Sequence, residues 1–119
     1  MSKFEGMSDF EINKLVAQAR GLKVAAEDTP AVGGSGAAVC VYDHFKVDYC
    51  NSWADMGHIV EKHNISISPM LVMTSPVGAY EYTGEWSADI YSVDDVSLDR
   101  NPLRAAAIIY LESLEQNNA

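Results

Sequence analysis

Apolar and polar positions repeat along this chain with two periods. Near the N-terminus Ile12, Leu15, Val16 and Ala19 recur at three- and four-residue steps, the spacing that gathers side chains on one face of an α-helix. Ser8-Asp9-Phe10-Glu11 has the S-x-x-E form of a capping box, and Met7 and Ile12 stand where a hydrophobic staple closes. Gly21 supplies a left-handed stop, so a first helix is predicted from Asp9 to Arg20. A second begins after Asn51 or Ser52, with Asp55 in its first turn, where the helix dipole favours an anion. Trp53, Met56, Ile59, Val60 and His63 share its apolar face, and Asn64 ends it. The third starts at Asn101-Pro102, a capping residue followed by a first-turn proline. Leu103, Ala107, Tyr110, Leu111 and Leu114 form its stripe, which Ile108 and Ile109 broaden. So wide a face implies burial on more than one side, against a sheet and against a partner subunit.

Between the helices the period falls to two. Leu22–Ala26 reads as a short strand; Ala38–Tyr42 and Phe45–Tyr49 are two more, joined by Asp43-His44. Ile65–Ser68 alternates as a half-buried strand does, Pro69 marks a bend or an edge, and Met70–Thr74 continues the β character. After a turn at Pro76 and Gly78, Tyr80 and Tyr82 point one way. Beyond Gly84 so do Trp86, Ala88 and Ile90, the pattern of an antiparallel hairpin. Val93–Arg100, with Asp94, Asp95 and Asp99, reads as an acidic connector. Residues 27–37 read as a flexible loop. Its Gly33-Gly34-Ser35-Gly36 lacks the Gly-Lys-Ser/Thr close and the following helix of a phosphate-binding loop. The expected fold is α+β. It has one mainly antiparallel sheet of about four to six strands with three helices packed on it, an α-β-α sandwich-like arrangement. A single domain over residues 1–119 is expected, with 1–7 and 116–119 frayed.

Composition narrows the function. Seventeen Asp and Glu against eight Lys and Arg give a net charge of -9. Such a chain lacks the positive field that draws extended nucleic acid or an anionic membrane. No run approaches the ~20 apolar residues of a membrane span, and Met1–Gly6 carries no apolar leader core. Cys40 and Cys50, ten residues apart, match neither zinc nor redox spacing, and reduced thiols in a cytoplasmic protein are expected.

Three blocks carry a family resemblance. Asp48-Tyr49-Cys50-Asn51-Ser52-Trp53-Ala54-Asp55, followed by Ile59-Val60 and Ile65-Ser66-Ile67, is one. Asn101-Pro102-Leu103-Arg104-Ala105-Ala106 is the second, and Met7-Ser8-Asp9-Phe10-Glu11-Ile12-Asn13-Lys14 the third. Together they resemble the NinX-like accessory proteins of tailed phages and prophages. Gly57 and His58 depart from the Trp-Pro or Gly-Pro pair common in that pattern. The resemblance implies a non-virion protein acting in the cytoplasm of an infected bacterium, folded as a phage α-β-α sandwich and assembled as a homo-oligomer.

Candidate chemistry is sparse. His58 and His63 are five apart, about 140° around a helix axis, and neither they nor His44 make a metal-binding spacing. Cys40 reads as a buried strand residue; Cys50, before a helix start, is the better candidate for a reactive thiol. No catalytic set, metal or cofactor is expected. The start of the last helix draws attention instead: Arg100, Asn101 and Arg104 bracket free N–H groups that favour an anion. Against this, Asp94, Asp95 and Asp99 offer the same arginines structural partners. Tyr80, Tyr82, Trp86 and Tyr91 are aromatics able to stack on a base or to fill a core. The expected ligand-binding set is Arg100, Asn101, Arg104, Tyr80, Tyr82, Trp86, Asn51 and Trp53. The leading expectation is a binding protein that sequesters a small anionic or nucleotide ligand, for instance a defence signal of the host. The alternatives are an acidic inhibitor or adaptor of a host protein, and a small nucleotide-processing enzyme.

Overall fold

A computed structural model describes residues 3–24, 38–41, 45–91 and 93–117. The expected strand at Leu22–Ala26 falls partly, and the 27–37 loop and Asp43-His44 wholly, outside these residues. Three helices and five strands follow in the order α1 (Asp9–Ala19), β1 (Val39–Val41), β2 (Phe45–Val47), α2 (Trp53–Lys62), β3 (Ile65–Met73), β4 (Tyr80–Ile90), β5 (Val96–Asp99) and α3 (Pro102–Asn117).

The helix boundaries follow from local chemistry. At α1 the Ser8 hydroxyl accepts from the Glu11 N–H at 3.2 Å, and the Glu11 carboxylate accepts from the Ser8 N–H, completing the capping box. At its other end Gly21 takes φ +81°, and the Leu22 and Gly21 N–H groups donate to the Ala17 and Gln18 carbonyls. This is a Schellman stop, and it needs a residue without a Cβ clash at Gly21. At α2 the cap is Ser52, accepting from the Asp55 N–H, and Asn64 leaves the helix at φ +53°.

The strands form two antiparallel sheets, one of two strands, β1-β2, and one of three in the order β3-β4-β5. The single larger sheet expected from the sequence is therefore divided. The physical reason lies at the end of β2, where the chain enters a tight turn at 48–52 that delivers it into α2 before another strand can pair. Val24 adds an isolated bridge to Val41. The expected acidic connector is also corrected: Val96–Asp99 is the strand β5, in register with Trp86–Asp89. Pro69 sits at an irregularity, where β4 spends extra residues around Gly84, at φ +90°, while β3 advances from Pro69 to Leu71.

Helix α3 is the centre of the molecule. Its residues Ala105 to Ser113 are all buried, and it packs against β3, β4 and β5 on one side and against α1 and α2 on others. The three-stranded sheet and α1 pack on α3, α2 touches both α3 and β3, and β1 lies against α1. The far face of the three-stranded sheet presents Ser66, Ser68, Asp89, Val96 and Leu98 to solvent. The breadth of the α3 stripe is satisfied within the chain itself, and the argument that it calls for a partner subunit falls away.

Residues 4–7 contact the rest of the chain. Phe4 is buried in the core, and the carbonyls of Glu5 and Met7 accept from Arg104. At the other end α3 continues to Asn117.

Candidate functional site

The start of α3 is occupied by the protein's own groups. The Asn101 side-chain oxygen Oδ1 accepts from the Leu103 N–H at 2.9 Å and the Arg104 N–H at 3.4 Å, which takes up part of the helix N-terminus. Its amide donates to the Cys50 carbonyl and to the Asn51 side chain. Arg104 donates to Asp99 at 3.0 Å, to Asp9 at 2.7 Å, and to the carbonyls of Glu5 and Met7. Burial alone would lower its pKa, but the Asp9 hydrogen bond and the Asp99 charge outweigh that and hold the guanidinium ionised. Nearly all of its five donors are thus spent. Arg100 is exposed in a cleft shared with Glu5, Glu85 and Asp99, carboxylates that repel an anion. The geometry follows the structural role for Asp99 and Arg104 that the sequence also offered. Asp95 instead accepts from the Val96 N–H.

The rest of the expected set divides. Asn51 donates to both Asp48 carboxylate oxygens and joins the same polar knot. Asn13, buried in α1, donates to Asp48 at 2.8 Å and accepts from the Cys50 N–H at 3.0 Å. The three sequence blocks that carry the family resemblance therefore meet here, tying α1 and the 48–52 turn to α3. Trp53 stands exposed at the first residue of α2. Tyr80 and Tyr82 lie along the distal part of β4, with Tyr82 edge-on to Trp86 at 6.1 Å, and Trp86 sits opposite Asp99 of β5. Tyr91 is fully exposed beyond the end of β4. Cys50 is fully buried, and its thiol is pushed far above the ordinary range, first by burial and then by the Asp9 charge. It is a core residue, not a nucleophile. Cys40 is half-buried, and the two thiols are free. Among the described residues no His, Cys, Asp and Glu group has the makings of a metal site.

A different place gathers basic residues. Arg20, His58, Lys62 and His63 line a cavity of about 320 Å³ together with Ala19, Ile59 and Tyr110. Arg20 caps α1, and the Schellman turn fixes where its side chain leaves the helix. Its guanidinium donates to the Tyr49 hydroxyl at 2.9 Å and stacks over that ring. Lys62 is the last residue of α2 and His63 its cap. The His63 ring rests against Tyr110 of α3, centroids 4.9 Å apart. His58 and His63 occupy different faces by helical angle, yet both reach the cavity because His63 has already turned out of the helix.

No acidic side chain lines the cavity. The Ala17 and Gln18 carbonyls of α1 and the Glu61 carbonyl of α2 accept capping N–H groups, which satisfies part of each helix C-terminus beside the cavity. Burial, and then the Lys62 charge, lowers the His63 pKa below its usual 6.5. Burial raises the Tyr49 and Tyr110 phenols, with Arg20 pulling the other way, so both remain neutral hydrogen-bond donors. Sequence reading could place a base at each helix end, where the dipole favours it. It could not show that two such ends converge over Tyr110.

Residues 3–113 match the family described as Bacteriophage P22, NinX, and the chain belongs to that family. No curated protein and no solved structure matches the chain. No helix among the described residues is long and apolar enough to cross a membrane.

Proposed function

We propose that this NinX-family phage protein captures a small phosphorylated ligand, of nucleotide size, in the cavity of Arg20, His58, Lys62 and His63. The observation that carries the reading is the gathering of two of the eight Lys and Arg residues and two of the three histidines around one acid-free opening, in a chain of net charge -9. Guanidinium and ammonium groups supply charge-assisted hydrogen bonds to phosphate oxygens. The Tyr110 and His63 rings offer an apolar wall for a base or sugar. The volume lies at the lower end of the range for small-molecule sites, which suits one nucleotide unit better than a polymer.

The role that follows is sequestration in the cytoplasm of the infected cell, directed at a host signal such as a defence nucleotide. Arg20 and Lys62 supply charge to hold a phosphate, and whether His58 and His63 also act on it is read from the state of the recovered ligand. Calorimetric titration with nucleoside monophosphates and cyclic nucleotides tests this directly. At least one should bind, and Lys62→Glu, an exposed change, should weaken it at least tenfold, about 1.4 kcal/mol. Absence of binding by every nucleotide, or equal binding by the variant, overturns the reading; recovery of cleaved ligand would replace capture with catalysis.

A further inference from the structure

The β3–β4 hairpin outruns the rest of the molecule. Eleven residues of β4 extend about 36 Å at strand rise, whereas the sixteen of α3 beneath them cover about 24 Å at helix rise. Ala88 and Ile90, near the base, are buried against the core, and the distal part has nothing under it among the described residues. There Leu71, Val72 and Met73 are consecutive and all exposed, so both faces of the strand are bare. Val77 at the tip is 92% exposed, Tyr80 58% and Tyr82 51%. Half-exposed side chains of this size offer on the order of 100 Å² each. Six together make about 600 Å², at the upper end of what a monomer ordinarily leaves open and short of the ~800 Å² per partner that a stable dimer buries.

Charge identifies the occupant. From Ile65 to Tyr80 there is no Asp, Glu, Lys, Arg or His, in a chain where 21% of residues are charged. A basic partner would be met by carboxylates; β3 and the turn offer none along those sixteen positions, and the one charged residue of the arm is Glu81 of β4, opposite Val72. A second copy of a -9 chain is repelled by most of the surface, and approaches at least cost where that charge is missing. The sheet order leaves β3 as an edge strand. Natural edges are blunted with lysines, prolines or bulges. Here Pro69 and the neighbouring irregularity interrupt the middle, but Met70–Met73 beyond them has no such guard. An identical strand pairs with itself across a two-fold axis in the antiparallel sense, which makes this segment self-complementary.

We infer that the distal β3–β4 arm, residues 70–82, joins two copies of this chain arm against arm about a two-fold axis. Multi-angle light scattering over a concentration series tests it, because the 13.0 kDa chain mass is well separated from its double. The unaltered chain should run at twice the chain mass, and Val72→Glu and Met73→Glu should each return it to the chain mass with an unchanged circular dichroism spectrum. Val77→Glu at the tip lies outside the strand pairing and gives the same reading if a strand variant fails to fold. A monomeric unaltered chain, or variants that stay dimeric, overturns the inference. A monomer that floats with neutral phosphatidylcholine vesicles overturns it in favour of a lipid surface. None of these outcomes depends on the nucleotide cavity.

Discussion

Arg104 shows how one residue changes meaning between sequence and structure. In the chain it stands beside Arg100 at a helix start, and two guanidiniums at a dipole terminus invite an anion. In the fold one of its partners, Asp9, comes from ninety-five positions earlier, and no local pattern announces such a contact. The side chain is nearly buried between Asp9 and Asp99. Arg104→Ala would leave both carboxylates without their counter-charge and free two carbonyls of the N-terminal segment. Removing one partner of a buried pair costs ~3–5 kcal/mol, and the partial exposure of Asp9 reduces this by solvent screening. A loss of about 2–3 kcal/mol is expected in urea unfolding, with nucleotide binding by the remaining folded protein unchanged. A variant as stable as the parent would show that the knot does not hold α1 to α3. Asn101 was legible as a cap because capping is local. Its grip on Cys50 and Asn51 was not, because that depends on how the helices meet.

At the level of elements the helices were legible and the sheet only partly so. Caps and three-to-four spacing are local signals, and Ser8, Gly21, Ser52 and Asn64 act where they stand. Strand β5 escaped because its alternation is inverted: Val96 and Leu98 face solvent while Ser97 is buried. Apolar positions read as the core face would have turned it inside out, and its acidic flanks suggested a connector. The width of the α3 stripe was read correctly as burial on several sides, but its cover comes from this chain's own sheet and helices. Ala105, Ala106 and Ala107 have no exposed surface, so neighbouring elements approach the helix closely there. Ala106→Leu should therefore overpack the layer and cost about 1–3 kcal/mol, read as a lowered midpoint in thermal unfolding. An unchanged midpoint would mean that α3 has room beside it and is not wedged between layers.

Over the whole molecule, the net charge of -9 excludes less than it first suggests. It disfavours polyanions, yet no acid lines the wall of one cavity or the β3 side of one arm, where Glu81 of β4 is the one carboxylate between residues 70 and 82. These two places are the basic cavity proposed to take a small anion and the weakly charged arm inferred to meet another copy. The polar knot between them is structural. The sequence pointed to the start of α3 for a small anionic ligand, where the fold engages Asn101 and Arg104 with the chain's own groups; the basic residues of α1 and α2 meet only after α3 has brought those helices together.

The central claim is that the Arg20–His63 cavity binds phosphate, and His63 reports on it. In the free protein its pKa lies below 6.5, lowered by burial and then by Lys62, with Arg20 of α1 and His58 of α2 on the same wall. A lowered folded pKa means that the unfolded chain takes up this proton more readily. The contribution to stability is therefore full above pH ~6.5 and declines as the pH falls through that value. A bound phosphate reverses the local field, raises the His63 pKa and takes up protons, so affinity should increase as the solution is acidified from about pH 7.5 to 6. Proton NMR of the histidine ring resonances, titrated with pH in the presence and absence of a nucleoside monophosphate, measures this at the site itself. The account predicts that ligand moves the His58 and His63 resonances and shifts the His63 titration upward. Histidine resonances and a His63 titration unaffected by ligand would contradict it.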